Sequence, residues 1–376
     1  MKTIALSGLV LSLIAGQAAA TELTVMTAGD QNMVNYVNQY LAPIFEKQNP
    51  GDTVRAVGTG PGSAGSQKIL ERFKAQAGAG SKSWDTDVAV IHQKFAGPMV
   101  KAGYLAKYRG DIPTGKLVTS AAASNALGSD VDGYVMPMFN SQTAIAYNPA
   151  LVSNPPRSYA ALAEWAAKHP KAFGYNGIKG GMSGVSFVTG WIYAFAHDEK
   201  TLTEGPYHKA EAAKWTAALD KLKAFNANVT MTPGNAGTLD MLARGEIAMG
   251  PVWVDMFYSW KANGRIPPNL KLVLPSPGMP GQPMYYVIPK DAAHKKLAEK
   301  FVALATSPEI QAQGIVKKFN WYPGIDAKYV KPKLSPADWN RLFADITPAE
   351  LAAKGKPFPV APAFNAILNA YERVVQ

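Results

Sequence analysis

The chain contains no cysteine. This absence excludes disulfide bonds, thiolate metal sites and catalysis by a cysteine nucleophile. It also excludes the lipidated cysteine that tethers some exported proteins to a membrane. We therefore expect a protein that is neither cross-linked nor lipid-anchored.

Signatures of metal and hydrolase sites are also missing. The histidines show neither H-x-x-x-H nor H-E-x-x-H spacing, no G-x-S-x-G elbow is present, and no pair of carboxylates stands out by position. We accordingly expect no metal, no cofactor and no catalytic residues. The histidines in question are His92, His169, His197, His208 and His294.

Long apolar runs are absent after the first twenty residues. The run from Ile4 to Ile14 follows Lys2 and precedes Ala18 and Ala20, which form an A-x-A site. This run is shorter than the roughly 20 residues of a membrane-spanning helix, so an anchor is the weaker interpretation. The pattern predicts a signal peptide cleaved after Ala20 and a periplasmic protein.

Basic residues outnumber acidic ones, with 38 Lys and Arg against 27 Asp and Glu, and the formal net charge is +11. They are scattered, and no tract is longer than pairs such as Lys295 with Lys296. Such scattering favours a solvated basic surface. We expect no nucleic-acid partner.

Strand and helix patterns alternate in the first part of the chain. Residues Glu22 to Met26 alternate like a strand, and apolar residues at helical spacing follow Asp30. The same pattern recurs as a strand at 53–57, a helix at 67–77 and a strand at 86–91. Strands separated by helices predict a parallel α/β sheet, and 376 residues suggest two domains.

Helices are also predicted further along the chain. Ser183 is interpreted as a helix cap, and Ser335 and Thr347 each precede proline at a helix start. Apolar stripes around Trp215 and Leu297 indicate further amphipathic helices. The C-terminal tail is therefore expected to be helical.

Residues Gly60 to Gly65 read GPGSAG, a G-x-G-x-x-G pattern after a predicted strand, and Asp85 lies twenty residues beyond Gly65. A dinucleotide-binding enzyme is one interpretation, opposed by the export signal. The loop could instead offer backbone N–H groups and the hydroxyls of Ser63 and Ser66 to an anionic ligand. A plain flexible turn is the third interpretation.

Several segments, in this order, resemble the family 1 extracellular solute-binding proteins, which include maltose-binding and polyamine-binding proteins. They read WDTDVAVIHQKFAGPMVKAGYLAKY (84–108), AIAYNPALVSNPPRSYAALAEW (144–165), LARGEIAMGPVW (242–253) and PMYYVIPKDAAHKKLAEKFVALATSPEIQAQ (283–313). The resemblance implies a periplasmic-binding-protein-like type II fold, with two doubly wound lobes, a hinge and a ligand cleft. It implies lobes at 21–139 plus 277–323 and at 140–276 plus 324–376.

The resemblance further implies a monomer that captures a small solute and delivers it to an inner-membrane ABC permease. Ligand contacts are expected where strands end at the cleft. With the two serines of the glycine-rich loop, the candidates are Ser63, Ser66, His92, Gln93, Lys94, Asn140, Ser141, Gln142, Ser183, Trp253, Asp255, Tyr285, Tyr286, Trp321 and Tyr322.

The ligand class stays open at this level. Aromatic faces with amides and hydroxyls suit a polyol or sugar, whereas the GPGSAG loop and Lys94 suit a small anionic or phosphorylated solute. Organic cations such as polyamines or thiamine rank third, with Asp255 as their partner. Ferric ion is disfavoured because PVWVD replaces the adjacent tyrosines of iron-binding relatives. An enzyme on the same fold is the alternative class.

Overall fold

The computed structural model describes residues 21–60, 62–196 and 199–375. The predicted signal peptide and its cleavage site lie outside these residues, as do Pro61 of the glycine-rich loop and His197. None of the helices in the described ranges is long and apolar enough to cross a membrane.

The strands are short except for β6 and β11, which run through the middle of the molecule. They are β1 (Glu22–Ala28), β2 (Thr53–Gly60), β3 (Val88–His92), β4 (Asn125–Ala126), β5 (Ser129–Asp130), β6 (Met136–Tyr147), β7 (Phe173–Tyr175), β8 (Val229–Met231), β9 (Met249–Trp253), β10 (Lys271–Val273), β11 (Met279–Val287), β12 (Tyr322–Pro323) and β13 (Gly355–Lys356).

Helices connect most of these strands. They are α1 (Gln31–Asn35), α2 (Ala42–Gln48), α3 (Gly62–Gly78), α4 (Gln93–Lys101), α5 (Tyr159–Lys168), α6 (Met182–Ala196), α7 (Glu199–Glu204), α8 (Ala212–Asn226), α9 (Gly234–Arg244), α10 (Val254–Ala262), α11 (Lys295–Ala305), α12 (Pro308–Ile310), α13 (Ala327–Val330), α14 (Pro336–Arg341), α15 (Pro348–Lys354) and α16 (Ala361–Val374). Two π-helical segments, Tyr36–Leu41 and Gln311–Lys318, continue α1 and α12, and short 3₁₀ turns fill several loops.

The main sheet has the order β2-β1-β3-β11-β6-β9-β7-β8. Strands β1, β2 and β3 are parallel, β11 is antiparallel to β3 and β6, and β6 is antiparallel to β9. Strand β6 pairs with β11 as far as Gln142 and with β9 from Thr143 onward. We call the part built on β1, β2, β3, β11 and the start of β6 the first half-sheet. The second half-sheet comprises β7 to β10 and the end of β6.

Helices cover both faces of the first half-sheet. On one face the Phe45 ring of α2 lies 5.5 Å from the Phe301 ring of α11, and on the other Phe73 of α3 lies 5.4 Å from Trp84. In the second half-sheet, Phe187 of α6 packs 5.2 Å from Phe173 of β7. Because buried strands with helices on both faces read as apolar runs, the sequence predicted this α/β class correctly.

The predicted helix starts are confirmed at two of three positions. Ser335 and Thr347 accept cap hydrogen bonds from Asp338 and Glu350, and Thr347 with Glu350 forms a capping box. Ser183, by contrast, lies inside the first turn of α6 and does not cap it. Its hydroxyl donates 2.8 Å to the side-chain oxygen of Asn235. The predicted cap is therefore wrong, because a tertiary partner binds this hydroxyl.

Candidate ligand-binding cleft

The carboxyl ends of strands from the two half-sheets point toward each other. His92 ends β3 and pairs through Met284 with Phe139 on β6, whereas Trp253 ends β9 opposite Thr143 on the same strand. Four residues of β6 separate these ends, about 13 Å at 3.3 Å per residue. A helix follows each end directly, so helix amino termini also face the gap. This is the position where open α/β sheets bind ligands.

A cavity of about 530 Å³, including the part open to solvent, lies in this gap, and we call it the inner chamber. Both half-sheets and both crossing strands contribute to its wall. The lining residues are Gly29, Asp30, Asn32, Met33, His92, Phe139, Ser141, Met182, Asn235, Trp253, Asp255, Met256, Gln282 and Met284.

Two carboxyl groups line the inner chamber from opposite half-sheets. Asp255, in the first turn of α10, is only 6% exposed, and the Ser141 hydroxyl donates to it. Burial, with a smaller contribution from the negative charge of Asp30, raises its pKa to about 6. Asp30 occupies the cap position of α1, yet its side chain makes no cap hydrogen bond, and burial raises its pKa too. Within the described ranges, neither carboxylate forms an ion pair with a lysine or arginine.

His92 is held in one tautomer by Ser66. The Ser66 hydroxyl accepts a 3.0 Å hydrogen bond from the His92 backbone N–H and lies 3.0 Å from its Nδ1. Because the hydroxyl proton needs an acceptor, we assign Nδ1 as that acceptor and Nε2 as the protonated nitrogen. Burial lowers the His92 pKa to about 4, so the ring is neutral near pH 7. His92 therefore offers the chamber an uncharged N–H donor.

Amide groups add further donors and acceptors. Gln282 is 5% exposed, and its side chain makes no hydrogen bond to any described residue. The side-chain oxygen of Asn32 is likewise buried, with no partner in the described part of the chain. Buried polar groups in proteins are normally satisfied, so these two amides are available to a ligand.

Apolar side chains complete the wall. The indole of Trp253 is 9% exposed and faces the chamber together with Phe139. Phe139 is fixed from behind by Trp321, with ring centroids 4.5 Å apart. Methionines fill the remaining surface, and their flexible thioethers adapt to an occupant. They are Met33, Met182, Met256 and Met284.

A wider cavity, which we call the outer chamber, adjoins the inner one and shares Asp30, Met182 and Asn235 with it. Its volume is about 1330 Å³, solvent-open parts included. The amino ends of α3, α6 and α9 border it. Its lining residues are Asp30, Thr59, Gly60, Ser63, Ala64, Lys68, Lys94, Ile178, Lys179, Gly180, Gly181, Met182, Val185, Pro233, Gly234, Asn235, Ala236, Phe364 and Leu368.

The glycine-rich segment forms the strand-turn-helix of this border. A Cβ atom on Gly65 would lie 1.9 Å from the carbonyl oxygen of Gly60, so only glycine lets the start of α3 approach the end of β2 this closely. The loop thereby places Ser63 at the outer chamber. A structural requirement for glycine thus accounts for this part of the motif.

The structure brings together about half of the sequence-predicted contacts. His92, Ser141, Trp253 and Asp255 line the inner chamber, and Ser63 and Lys94 line the outer one. Ser66 and Ser183 lie one layer behind, where they hold His92 and Asn235. Whether any of these residues touches a ligand stays a prediction.

The remaining predicted contacts do not line either chamber. Gln142 donates to the backbone of Met279 and Thr143, and Asn140 donates to the Pro323 carbonyl. These amides are used within the crossing strands. Gln93, although buried, is also absent from both linings.

The four aromatic candidates of the crossing region are core residues. Trp321 and Tyr286 are fully buried, and Tyr322 stacks on Phe343 with centroids 5.5 Å apart. The Tyr285 hydroxyl donates to the Ala122 carbonyl. Side chains of β11 alternate between the two faces of the sheet, so Tyr285 faces away from Gln282 and Met284, which line the inner chamber. Tyr286 pairs with Val90, two residues before the end of β3, and does not reach the chamber.

Sequence reasoning missed Asp30, Asn32, Asn235, Gln282 and the methionines. Asp30 had a usable signal, because it follows β1 and precedes a helix, as His92 does after β3. The others had none, because they lie in the first turns of α1, α6, α9 and α10 or on β11, and only the folded sheet reveals that these places meet at the gap. No group of three or more His, Asp or Glu side chains in the described ranges is arranged to hold a metal ion.

The family model of the bacterial extracellular solute-binding proteins matches residues 41–348. No curated protein is significantly similar in sequence. Solved structures share the fold, among them one from Thermotoga lettingae bound with alpha-D-tagatose, at 16% identity and a TM-score of 0.71 over 94% of this chain and 93% of that one.

Two other solved structures resemble the chain to a similar degree. A protein from Listeria monocytogenes, assigned to a spermidine/putrescine ABC transporter, has 17% identity and a TM-score of 0.67 over 94% of this chain and 99% of that one. Iron-bound HitA from Pseudomonas aeruginosa has 19% identity and a TM-score of 0.64 over 95% of this chain and 100% of that one. A sugar, a polyamine and iron on one fold mean that the fold does not select the ligand.

Proposed function

The chain belongs to the bacterial extracellular solute-binding proteins, and we propose that it is the periplasmic subunit that delivers one small solute to an ABC permease in the inner membrane. The predicted signal peptide supports this location. We further propose that residues 21–139 with 277–323 and residues 140–276 with 324–376 act as two lobes. Strands β6 and β11 would serve as the hinge that closes them around the solute.

The solute that fits the inner chamber best carries an amino or ammonium group. The observation behind this assignment is the Asp255 carboxyl, which is 6% exposed and has only the Ser141 hydroxyl as a side-chain partner in the described ranges. An ionised carboxylate without a cation is costly to bury, by roughly 3–5 kcal/mol when a partner is removed. A cationic ligand supplies the missing charge.

The surrounding groups agree with a cation. Asp30 adds a second carboxylate, so the chamber can neutralise an ammonium from two sides. The indole of Trp253 offers a face for a cation–π contact, worth about 0.5 to 2 kcal/mol. His92 is neutral and therefore does not repel a positive group.

This assignment reorders the ligand classes that the sequence suggested. Sequence reasoning placed organic cations behind polyols and anionic solutes, because Asp30 was not recognised. A neutral polyol or sugar stays the second candidate, favoured by the free amides of Gln282 and Asn32 beside Trp253. We propose that no chemistry is performed on the solute.

A thermal-shift screen of residues 21–376 tests the assignment. The compounds are diamines and amino acids, polyols and sugars, and dicarboxylates and organic phosphates, at matched ionic strength. A ligand at one hundred times its Kd should raise the free energy of unfolding by about 2.7 kcal/mol. We expect amino compounds to stabilise the protein and to be recovered unchanged by NMR. Stabilisation by polyols or anions alone would refute the amino assignment, and conversion of the bound compound would refute the binding role.

A further inference from the structure

The two chambers of the cleft carry opposite charge, and we propose that together they recognise a zwitterionic solute. This inference rests on the proposed function. The ammonium group would lie in the inner chamber against Asp255 and Asp30. A carboxylate, phosphonate or phosphate group on the same molecule would lie in the outer chamber against Lys94.

Lys94 is the first element of this anion-binding wall. It lies in the first turn of α4, is partly buried, and lines the outer chamber. Its ammonium sits 4.9 Å from the Phe364 ring centroid and forms no ion pair with a described carboxylate. A partly buried ammonium with only an aromatic neighbour is poorly compensated. An anionic ligand group would complete its environment, as a cation would for Asp255.

Two exposed lysines, Lys68 and Lys179, also border the outer chamber. Lys68 lines the same chamber and pairs with no acidic side chain in the described ranges. Lys179 also lines the chamber, but its ammonium lies 3.5 Å from the carboxylate of Glu372. The chamber therefore holds two unpaired ammonium groups and one that is already paired. Asp30 is its sole acidic lining residue among those described, and it faces both chambers.

Asn235 provides a donor where the chambers meet. Its side-chain oxygen accepts hydrogen bonds from the Ser183 backbone, the Ser183 hydroxyl and the Asn176 amide, at 3.2, 2.8 and 3.1 Å. These three donors fix the orientation of the carboxamide, and its NH₂ group is left for a ligand. Asn235 lines both chambers, so this donor is in reach of an anionic oxygen near the passage.

Ser63 adds a hydroxyl at the opposite wall. Its side chain has only a 3.9 Å contact with the sulfur of Met182. Ser63 lies in the first turn of the 17-residue helix α3, whose dipole adds to the positive potential of the nearby lysines. Asp30, Met182 and Asn235 border both chambers, so one short molecule can place its two ends in them simultaneously.

Isothermal titration with matched compounds tests the proposal. The set contains an ω-amino carboxylate, the corresponding ω-amino phosphonate, the α,ω-diamine and the α,ω-dicarboxylate, each at several chain lengths. We expect one of the amino acids or amino phosphonates to bind at least tenfold more tightly than the diamine of equal length. The comparison of carboxylate with phosphonate identifies the anionic group.

Two lysine variants show where the anionic group binds. Lys94→Met should weaken binding of the zwitterion at least tenfold and leave the diamine within about twofold. Lys221→Met is the matched control and should change neither, because the Lys221 ammonium also lies over an aromatic ring, 4.8 Å from the centroid of Phe195, but lines neither chamber. Circular dichroism verifies that both variants fold.

Failure of the zwitterion proposal can be distinguished from failure of the proposed function. If the diamine binds as tightly as the zwitterion, or if Lys94→Met affects both alike, the zwitterion proposal is wrong and the amino-solute function stands. If no amino compound of the set binds, the proposed function and this inference both fall.

Discussion

The inner and outer chambers differ in charge, burial and the use of their polar groups. The inner chamber is lined by aromatic and thioether side chains and holds two carboxyl groups, whereas the outer one is wider, glycine-rich and basic. Both are built by strand ends and helix starts, which bring positive dipole ends to the whole cleft. The two carboxyl groups of the inner chamber lie at helix starts, Asp30 before α1 and Asp255 in the first turn of α10, where the positive dipole ends favour their ionised form.

The largest expected effect distinguishes a chamber wall from the core behind it. Trp321→Ala should lower the free energy of unfolding by about 3–5 kcal/mol, because Trp321 is fully buried against Phe139. Trp253→Ala should cost less stability and instead weaken ligand binding by about 1–3 kcal/mol. Urea unfolding and titration with the ligand found by the screen measure both. A Trp253 variant that loses stability but keeps its affinity would place that indole in the core.

The next effect concerns the inner carboxylate. Asp255→Asn keeps the shape of the side chain but removes the charge, and should weaken binding of an amino ligand by about 2–5 kcal/mol. Asp345→Asn is the matched control, because burial raises the pKa of this carboxyl as well and it lies in neither chamber lining. Titration calorimetry with an amino ligand measures the loss of affinity in both variants. Equal losses in the two would remove Asp255 from the site.

A smaller effect is expected one layer behind the inner wall. Ser66→Ala removes the partner of the His92 backbone N–H and of Nδ1, and should cost about 1–3 kcal/mol of stability. The variant also frees the tautomer of His92. Nitrogen chemical shifts of the ring should show Nε2 protonated in the parent and a mixture in the variant. An Nδ1-protonated ring in the parent would contradict the assignment.

The smallest effect is a dependence on pH with opposite signs for stability and binding. Burial raises the Asp255 pKa to about 6, so the folded state takes up a proton that the unfolded chain releases. This carboxyl therefore adds stability as pH falls from about 6 to 4, and its contribution is lost as pH rises through 6. Amino-ligand affinity should instead drop about fivefold, or about 1 kcal/mol, between pH 6 and pH 5, because the ionised fraction of the carboxyl falls from about one half to about one tenth.

Asp255→Asn supplies the control for this prediction. Unfolding midpoints and titrations across pH 4–8 should show both trends in the parent and weaker ones in the variant, in which Asp30 and Asp345 still titrate with raised pKa values. Affinity that rises on acidification would mean that the protonated carboxyl is the binding form, as for a neutral or anionic ligand.

The sequence predicted the elements that local patterns determine. The strands around Val25, Val57 and Val90 and the helices around Phe73 and Trp215 are confirmed, because apolar periodicity specifies them without reference to the rest of the chain. The same is true of the caps at Ser335 and Thr347. Candidate contacts were found where a strand end was recognisable, as at His92 and Trp253.

Choosing candidate contacts by their position on a strand failed on the crossing strands. Tyr285 and Tyr286 were chosen as aromatic residues near a strand crossing, yet Gln282 and Met284 line the inner chamber. Tyr285 lies on the face of β11 opposite to Gln282 and Met284, and Tyr286 pairs with Val90 rather than with the end of β3. The sequence does not encode which face of a crossing strand meets the gap, because that depends on the strands beside it.

By itself, then, the sequence determined the α/β class and the family resemblance and predicted an export signal, because each depends on short segments read in order. The sign and enclosure of the cleft were decided only in the tertiary structure. Asp30 and Asp255 are 225 positions apart, and they become a pair because β1 and β9 end at the same gap. Charge in a binding site depends on distance and burial, and both arise only when the two half-sheets meet along β6.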